Sequence, residues 1–484
     1  MSAETSSTTG RLRRSLARPH TVPRRSLLQG LSCGFGWLAF QGLQAAADQG
    51  LQAAADQQPH FSAPAKRVIF LFMDGGVSHV DTFDPKPELD RLSGQPAKWR
   101  PDVRSQAISA GRRWLGSLWN FRQRGQCGLP VSDLFPHQAR MIDRLCVIRS
   151  LTGETPLHGA QSLLLHTGRS IAAAPSIGSW VSYGLGRENE NLPGYVVLNN
   201  DWIPNGGFQN FSSSFLPAAH EAAMVRAAGT PVDNIQPAVA PELQQLRLKF
   251  LRNMDGKFAA QQGTSAGIES AIRNYETAAR MQTLVPDLCD VSGETQATQS
   301  LYGVDREDSF DKLYALQCLR ARRLAEAGVR FIEITCPNTH ANNSPWDQHG
   351  DLRRRHTENA RITDQPVAAL LADLEQRGML DETLVVWAGE MGRTPHSGGT
   401  DGRDHHVSGY TIWMAGGGIR GGMSFGETDE MGMSAVASPL DIHDIHATIL
   451  HQLGIHHEQL TWRFGGREMR LTDVHGNVVK EILS

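Results

Sequence analysis

Short apolar runs alternate along this chain with longer stretches in which apolar residues return every three or four positions. The runs are Lys66–Met73 (KRVIFLFM), Cys146–Ser150, Tyr195–Leu198, Val329–Thr335 (VRFIEIT), Thr383–Ala388 (TLVVWA) and Tyr410–Ala415 (YTIWMA). Each has the pattern of a strand buried on both faces, as in a parallel sheet. Helix-period stretches lie at Phe310–Ala327, His356–Arg377 and near Asp441–Leu453. The order predicts an α/β fold, a largely parallel central sheet flanked by helices on both faces. Residues from about 200 to 300 are more polar and helical, and read as an insertion covering part of the sheet. The strands are spread evenly enough that residues 58–484 are expected to form one domain with that insertion.

Residues 1–57 break the pattern. The first 47 carry Arg11, Arg13, Arg14, Arg18, Arg24 and Arg25 against Glu4 alone, followed by a moderately apolar stretch from Ser26 to Leu43 and small residues at Ala45, Ala46 and Ala47. This reads as a twin-arginine-type signal peptide with its linker, and it implies a bacterial periplasmic or secreted protein. The octapeptide GLQAAADQ stands twice in tandem, at 42–49 and 50–57, so cleavage is expected after Ala47 or Ala55. The apolar stretch falls short of the ~20 residues a spanning helix needs; a weak anchor is the lesser reading, and no stable transmembrane segment is expected after cleavage.

Composition narrows the classes. Of 484 residues, 47 are Lys or Arg and 50 Asp or Glu, a net charge of −3, which argues against a nucleic-acid binder. Six Cys are too few for a disulfide scaffold at this length, and buried free thiols are expected. The unusual count is 19 His, of which twelve lie from His340 to His475.

In open α/β sheets ligands bind beyond the carboxyl ends of the strands. Asp74 closes the first strand, Asp347 and His349 follow the strand at Val329, Glu390 and Arg393 follow the strand at Thr383, and Asp404, His405 and His406 precede the strand at Tyr410. Carboxylate with imidazole, and no thiolate, suits one or two divalent ions, Zn or Mn first, with Ca or Mg as alternatives. Arg393 is a candidate for gripping an anion through its planar fork, or else a structural ion pair.

The strings MDGGVSHVDTFDPKP, SPWDQHGD, TLVVWAGEMGRTP, DGRDHH, AGGGIRGG and DIHATILHQLGI carry a resemblance that spans essentially all of the chain after the leader. They resemble the alkaline phosphatase superfamily in its sulfatase-like part and, more narrowly, the exported domain-of-unknown-function family 1501. The resemblance implies a metal site at the strand ends, with Asp74 after the first strand. It maps a strand–Asp–His signature onto TLVVWAGEMG, where Glu390 stands for the Asp and Met391 for the His; His405 or His406 is the expected replacement. The nucleophile position departs too. HGAQSLLLHTGR has the spacing of the helix that begins with Cys, Ser or Thr in sulfatases and phosphatases, and places His158 there. His158 would be a metal or substrate ligand, a covalent nucleophile, or the mark of a protein that binds without turnover; Thr155 is either a substitute hydroxyl or a helix cap.

Other residues keep plainer readings. His79, Asp81 and Asp84 suit loop and cap chemistry as well as a site. His443, His451, His456 and His457 read as surface or packing residues, with His446 the exception to watch. The run Gly416–Gly422 lacks the Lys-Ser/Thr ending of a phosphate loop. Together these expectations describe an exported metal-dependent hydrolase of sulfate or phosphate esters, acting on an anionic small molecule or polysaccharide. The alternative is a non-catalytic binding or assembly protein that keeps the anion and metal site. A phosphomutase lacks its phosphorylatable hydroxyl.

Overall fold

A computed structural model describes residues 58–98, 103–104, 111–171, 174–200, 202–232, 235, 239–262, 266–307, 310–339 and 344–484. The leader expected over 1–57, and His340, lie outside the described residues. The six apolar runs are strands of one sheet: β1 (Arg67–Phe72), β2 (Leu145–Leu151), β3 (Tyr195–Asn199), β5 (Phe331–Thr335), β6 (Thr383–Ala388) and β7 (Tyr410–Ala415). Two more strands complete it, β4 (Ala223–Arg226) and β8 (Met423–Phe425), giving the order β8-β2-β7-β6-β1-β5-β3-β4. The pairings β6–β1–β5–β3–β4 and β8–β2 are parallel, and β7 alone runs opposite to its neighbours β6 and β2. The expected largely parallel α/β sheet is therefore the observed one.

Both faces are covered, which explains the unbroken apolar runs. Ile69 and Leu71 of β1 enter one core with residues of α5 (Asp311–Glu326) and α6 (Leu352–Gln376), among them Leu319, Leu370 and Leu374. Val68, Phe70 and Phe72 enter the other core, built by α1 (His158–Thr167), α2 (Ile177–Leu185) and α7 (Ile442–Gln452) through Leu164, Leu165, Trp180, Ile445 and Ile449. Within residues 200–300, β4 extends the sheet beside β3, and α3 (Pro241–Gln262) and α4 (Ala266–Cys289) follow. The five described cysteines are free, and four of them are buried.

Helix α1 is tied to the sheet by a charge inside the apolar layer. Glu333 of β5 is fully buried; His166 Nε2 donates to its Oε1 at 2.9 Å and the Tyr195 hydroxyl to its Oε2 at 3.0 Å. His166 Nδ1 also lies 2.7 Å from Ser162 O in the same helix. Burial opposes charge on this imidazole, but the Glu333 carboxylate prevails and raises its pKa above 6.5. At its other end α1 stops on Gly168, whose φ of 68° is the left-handed cap conformation that glycine adopts without strain.

Glu333→Ala should cost about 3–5 kcal/mol in urea unfolding, because it strands a buried imidazole and phenol. A group whose pKa is raised by folding stabilises fully below its unfolded value and loses that share as pH rises through its folded value. Wild-type stability should therefore fall above pH 6.5 by a component that Glu333→Ala lacks; equal pH profiles for the two proteins would refute the assignment.

Candidate metal centre

The strand ends converge as the topology requires. β1, β5 and β6 are parallel, so Asp74, Asp347 and Glu390 emerge at one edge. β7 runs the other way, which brings the segment before it, Asp404–His406, to the same edge. Glycine permits the closest approach: Gly75 has φ 109°, and a Cβ there would lie 2.6 Å from Asp347 N and 2.8 Å from Trp346 N. Its N–H is shared by both oxygens of Glu390, at 3.0 Å each.

Around Asp347 Oδ1 stand three imidazole Nε2 atoms, those of His349 and His405 at 3.2 Å each and that of His158 at 3.5 Å. In each ring Nδ1 is committed to an oxygen: His349 to Asp404 Oδ1 at 2.7 Å, His405 to Pro156 O at 2.7 Å and His158 to Glu390 Oε1 at 2.6 Å. An imidazole that donates from Nδ1 turns the lone pair of Nε2 toward whatever it faces, the arrangement by which proteins orient metal-binding histidines. The Nε2 atoms of His349 and His405 are only 3.0 Å apart. Among the described residues, His158, Asp347 and His405 bring ligand atoms within 4.8 Å of one another. His349, 39% exposed against 12–13% for the other three side chains, forms the solvent side.

Deeper lies a second pair of carboxylates. Asp74 and Glu390 are both fully buried. Trp202 Nε1 donates to Asp74 Oδ2 at 2.8 Å, while Asp74 Oδ1 finds no hydrogen-bond partner among the described residues. Burial, with the Glu390 charge beside it, raises the Asp74 pKa to about 7. Burial also works against charge on His158, but its hydrogen bonds to Asp347 and Glu390 outweigh it and raise that pKa to about 9. Burial lowers the pKa of His405, against the opposing pull of its contact with Asp347. The Asp347 carboxylate is itself desolvated, yet its imidazole partners and Arg393 hold it well below the usual carboxylate range. A buried unpartnered carboxylate oxygen, and imidazole lone pairs aimed at one another, are the donor set a divalent cation satisfies.

The remaining expected residues take supporting places. Arg393 is fully buried; it donates to Asp347 Oδ1 at 2.7 Å, to Gly76 O at 3.0 Å, to Arg403 O at 3.3 Å and to Gly75 O, so its fork orients Asp347. Asp404 holds His349 with one oxygen and is paired with Arg112 through the other. His406 lies in a two-residue ribbon opposite Gly392, fully buried, its ring stacked on His79 with centroids 5.9 Å apart; it points away from the three converging imidazoles. Asp81 is paired with Arg403 at 2.6 Å and Asp84 with Lys86 at 2.9 Å, so both act as loop anchors. His446 and His443 donate to Leu165 O at 2.7 Å and Gly168 O at 2.9 Å, closing the C-terminal end of α1. Thr155 is not the helix cap, since α1 begins after Leu157 with no side-chain cap. Gly416–Gly422 follows β7 and so lies at the opposite edge. Trp202 and Arg112 were not anticipated; the rule that ligands sit beyond strand ends, applied to β3, points at Trp202.

Residues 65–483 match the family described as "Protein of unknown function (DUF1501)", and the chain belongs to that family. No curated protein matches it. Among solved structures it is similar to the PsFucS1 sulfatase of Pseudoalteromonas sp., with 12% identity over 88% of this chain and 72% of that one and a TM-score of 0.32. It is similar as well to a protein in the alkaline phosphatase superfamily from Vibrio parahaemolyticus (7% identity, 86% and 74% covered, TM-score 0.35). A third is the alkaline phosphatase of the Antarctic bacterium TAB5 (10% identity, 82% and 98% covered, TM-score 0.35).

Two substitutions separate the histidine roles. Asp404→Ala should weaken retention of bound Zn or Mn about 10–100-fold in a chelator competition, the usual loss when the partner of a ligating histidine is removed. His446→Ala should leave metal content unchanged and lower unfolding free energy by about 1–3 kcal/mol, the cost of an unsatisfied carbonyl. Metal loss in His446→Ala, or none in Asp404→Ala, would reverse these assignments.

Proposed function

We propose that this member of the DUF1501 family is an exported metal-dependent hydrolase of sulfate or phosphate esters. The observation that carries the reading is the convergence of three Nδ1-anchored imidazoles, His158, His349 and His405, on one oxygen of Asp347. These four residues would hold one ion, Zn or Mn by their chemistry, and Asp74 with Glu390 a second. Ca or Mg suits the carboxylate pair as an alternative. A divalent ion in such a site supplies Lewis acidity toward an ester oxygen and lowers the pKa of water.

The chain's own groups complete the chemistry. Helix α1 opens at His158, so its first N–H groups and positive dipole end are available to an anionic oxygen. Glu390 fixes the His158 ring through Nδ1, which leaves Nε2 to face the ion that His158 would share with Asp347. Arg393 spends its donors on Asp347 and on backbone carbonyls, so it positions the centre and does not grip the ester. The basic leader and its paired arginines support export by the twin-arginine route. No helix among the described residues is long and apolar enough to cross a membrane.

One observation favours a second reading, a non-catalytic binding or assembly protein. The position of the expected hydroxyl is held by an imidazole with one nitrogen 2.6 Å from Glu390 and the other 3.5 Å from Asp347. Neither is free to attack while those contacts persist. Elemental analysis of the exported protein, with hydrolysis assays on aryl phosphates and sulfates, decides between the readings. Hydrolysis predicts at least one metal per chain and a loss of about 100-fold or more in kcat/KM for both Glu390→Ala and His158→Ala. Stoichiometric metal with anion binding but no turnover would establish the binding protein. A metal-free protein whose activity survives Glu390→Ala would sink the hydrolase.

A further inference from the structure

Two large apolar side chains stand in water beside this charged site. Leu157, next to His158, is 65% exposed, and Phe208, in the single turn Gly207–Phe211, is 62% exposed. Both are held in place by the site itself. On one side of Leu157 the carbonyl of Pro156 accepts from His405 Nδ1, and the N–H groups of Glu154 and Thr155 donate to Gln161 Oε1. On its other side the His158 ring is fixed between Glu390 and Asp347. The turn of Phe208 belongs to the segment that carries Trp202, the donor to Asp74, and it is tied to α1 by the bond from Ser162 to Asn210. The two backbones nearly touch, since a Cβ on Gly159 would lie 3.6 Å from Gly206 N.

Leu157 also breaks a local rule. It is the N-cap of α1, where Leu is among the poorest choices, and it makes no capping bond. On the same face of the sheet Ser176 caps α2 and Asp441 caps α7 with a full capping box, whereas α5 and α6 on the other face start, like α1, without a side-chain cap. At α1 the uncapped start leaves a branched hydrocarbon exposed beside the charged centre.

We infer that Leu157 and Phe208 form an apolar rim that receives the alcohol part of the substrate, and that the substrate class is an ester of an aryl or alkyl alcohol. This rests on the reading of the site as one that takes an anionic ester group. The anion enters the centre of Asp347 and His158, and the hydrocarbon covers the two side chains, gaining affinity in proportion to the area removed from water.

Equilibrium binding of phenylphosphonate and methylphosphonate to the purified, metal-containing protein tests the rim without requiring turnover. The wild type should bind phenylphosphonate about tenfold more tightly than methylphosphonate, the gain from covering one ring face. Leu157→Ala and Phe208→Ser should each narrow that gap, and the double variant should close it to about twofold or less, with the methylphosphonate Kd unchanged. Alanine at 157 brings no capping oxygen, so the first N–H groups of α1 stay open to the anion in variant and wild type alike. Equal wild-type affinities, or a gap that survives the double variant, would overturn the rim and leave the anion site standing. Failure of both phosphonates to bind would overturn the rim together with the ester reading.

Discussion

One carboxylate oxygen organises this protein. Oδ1 of Asp347 faces Arg393 at 2.7 Å, His349 and His405 at 3.2 Å and His158 at 3.5 Å. These groups come from four places in the chain: the ribbon after β6, the loop after β5, the segment before β7 and the first residue of α1. A buried charge that lost such partners would cost several kcal/mol, so each loop is held by the need to satisfy the same atom. The topology follows from that need. If β7 ran parallel to β6, Asp404 and His405 would begin at the far edge, and Asp347 would lose one imidazole while His349 lost its orienting carboxylate.

Helix α1 carries this constraint into the core. Its first residue meets Asp347 and Glu390, His166 meets Glu333 on β5, and its last carbonyls meet His446 and His443 of α7. A ten-residue helix in isolation is marginal in water; this one is gripped at its first residue and through its last turn by charged or ring partners. The histidine excess after residue 340 therefore has several physical origins. His349 and His405 face the centre, His443 and His446 close α1, and His406 is stacked on His79 beneath the ribbon.

The strands were legible because burial on both faces leaves an unbroken apolar run, and six such runs mark six strands. The two strands that gave no signal, β4 and β8, are the edges of the sheet and are partly exposed, so their sequences AMVR and MSF carry no such run. The positions that converge at the candidate centre were legible in part. Strand ends named Asp74, Asp347, His349 and Glu390, and the resemblance named His158. Periodicity could not choose between His405 and His406, because neighbours in an extended ribbon face opposite sides and either register satisfies the sequence. Nor could it place Arg393, whose partners include three backbone carbonyls that sequence reasoning does not see.

Charge closes the account. Asp74, Asp347, Glu390 and Asp404 bring four carboxylates to one region, and Arg393 and Arg112 bring two guanidinium groups. The balance is made by protons: Asp74 titrates near 7 and His158 near 9, the first because of burial and Glu390, the second because two carboxylates overcome its desolvation. Both shifts are the response of a site with surplus negative charge in a low-dielectric setting. Divalent cations would supply the same positive charge at the same oxygens, and they bind carboxylates and imidazoles only after the protons leave. Protons and such cations would thus compete for one electrostatic demand, which the carboxylates around Asp347 set and the surrounding sheet edge cannot relax.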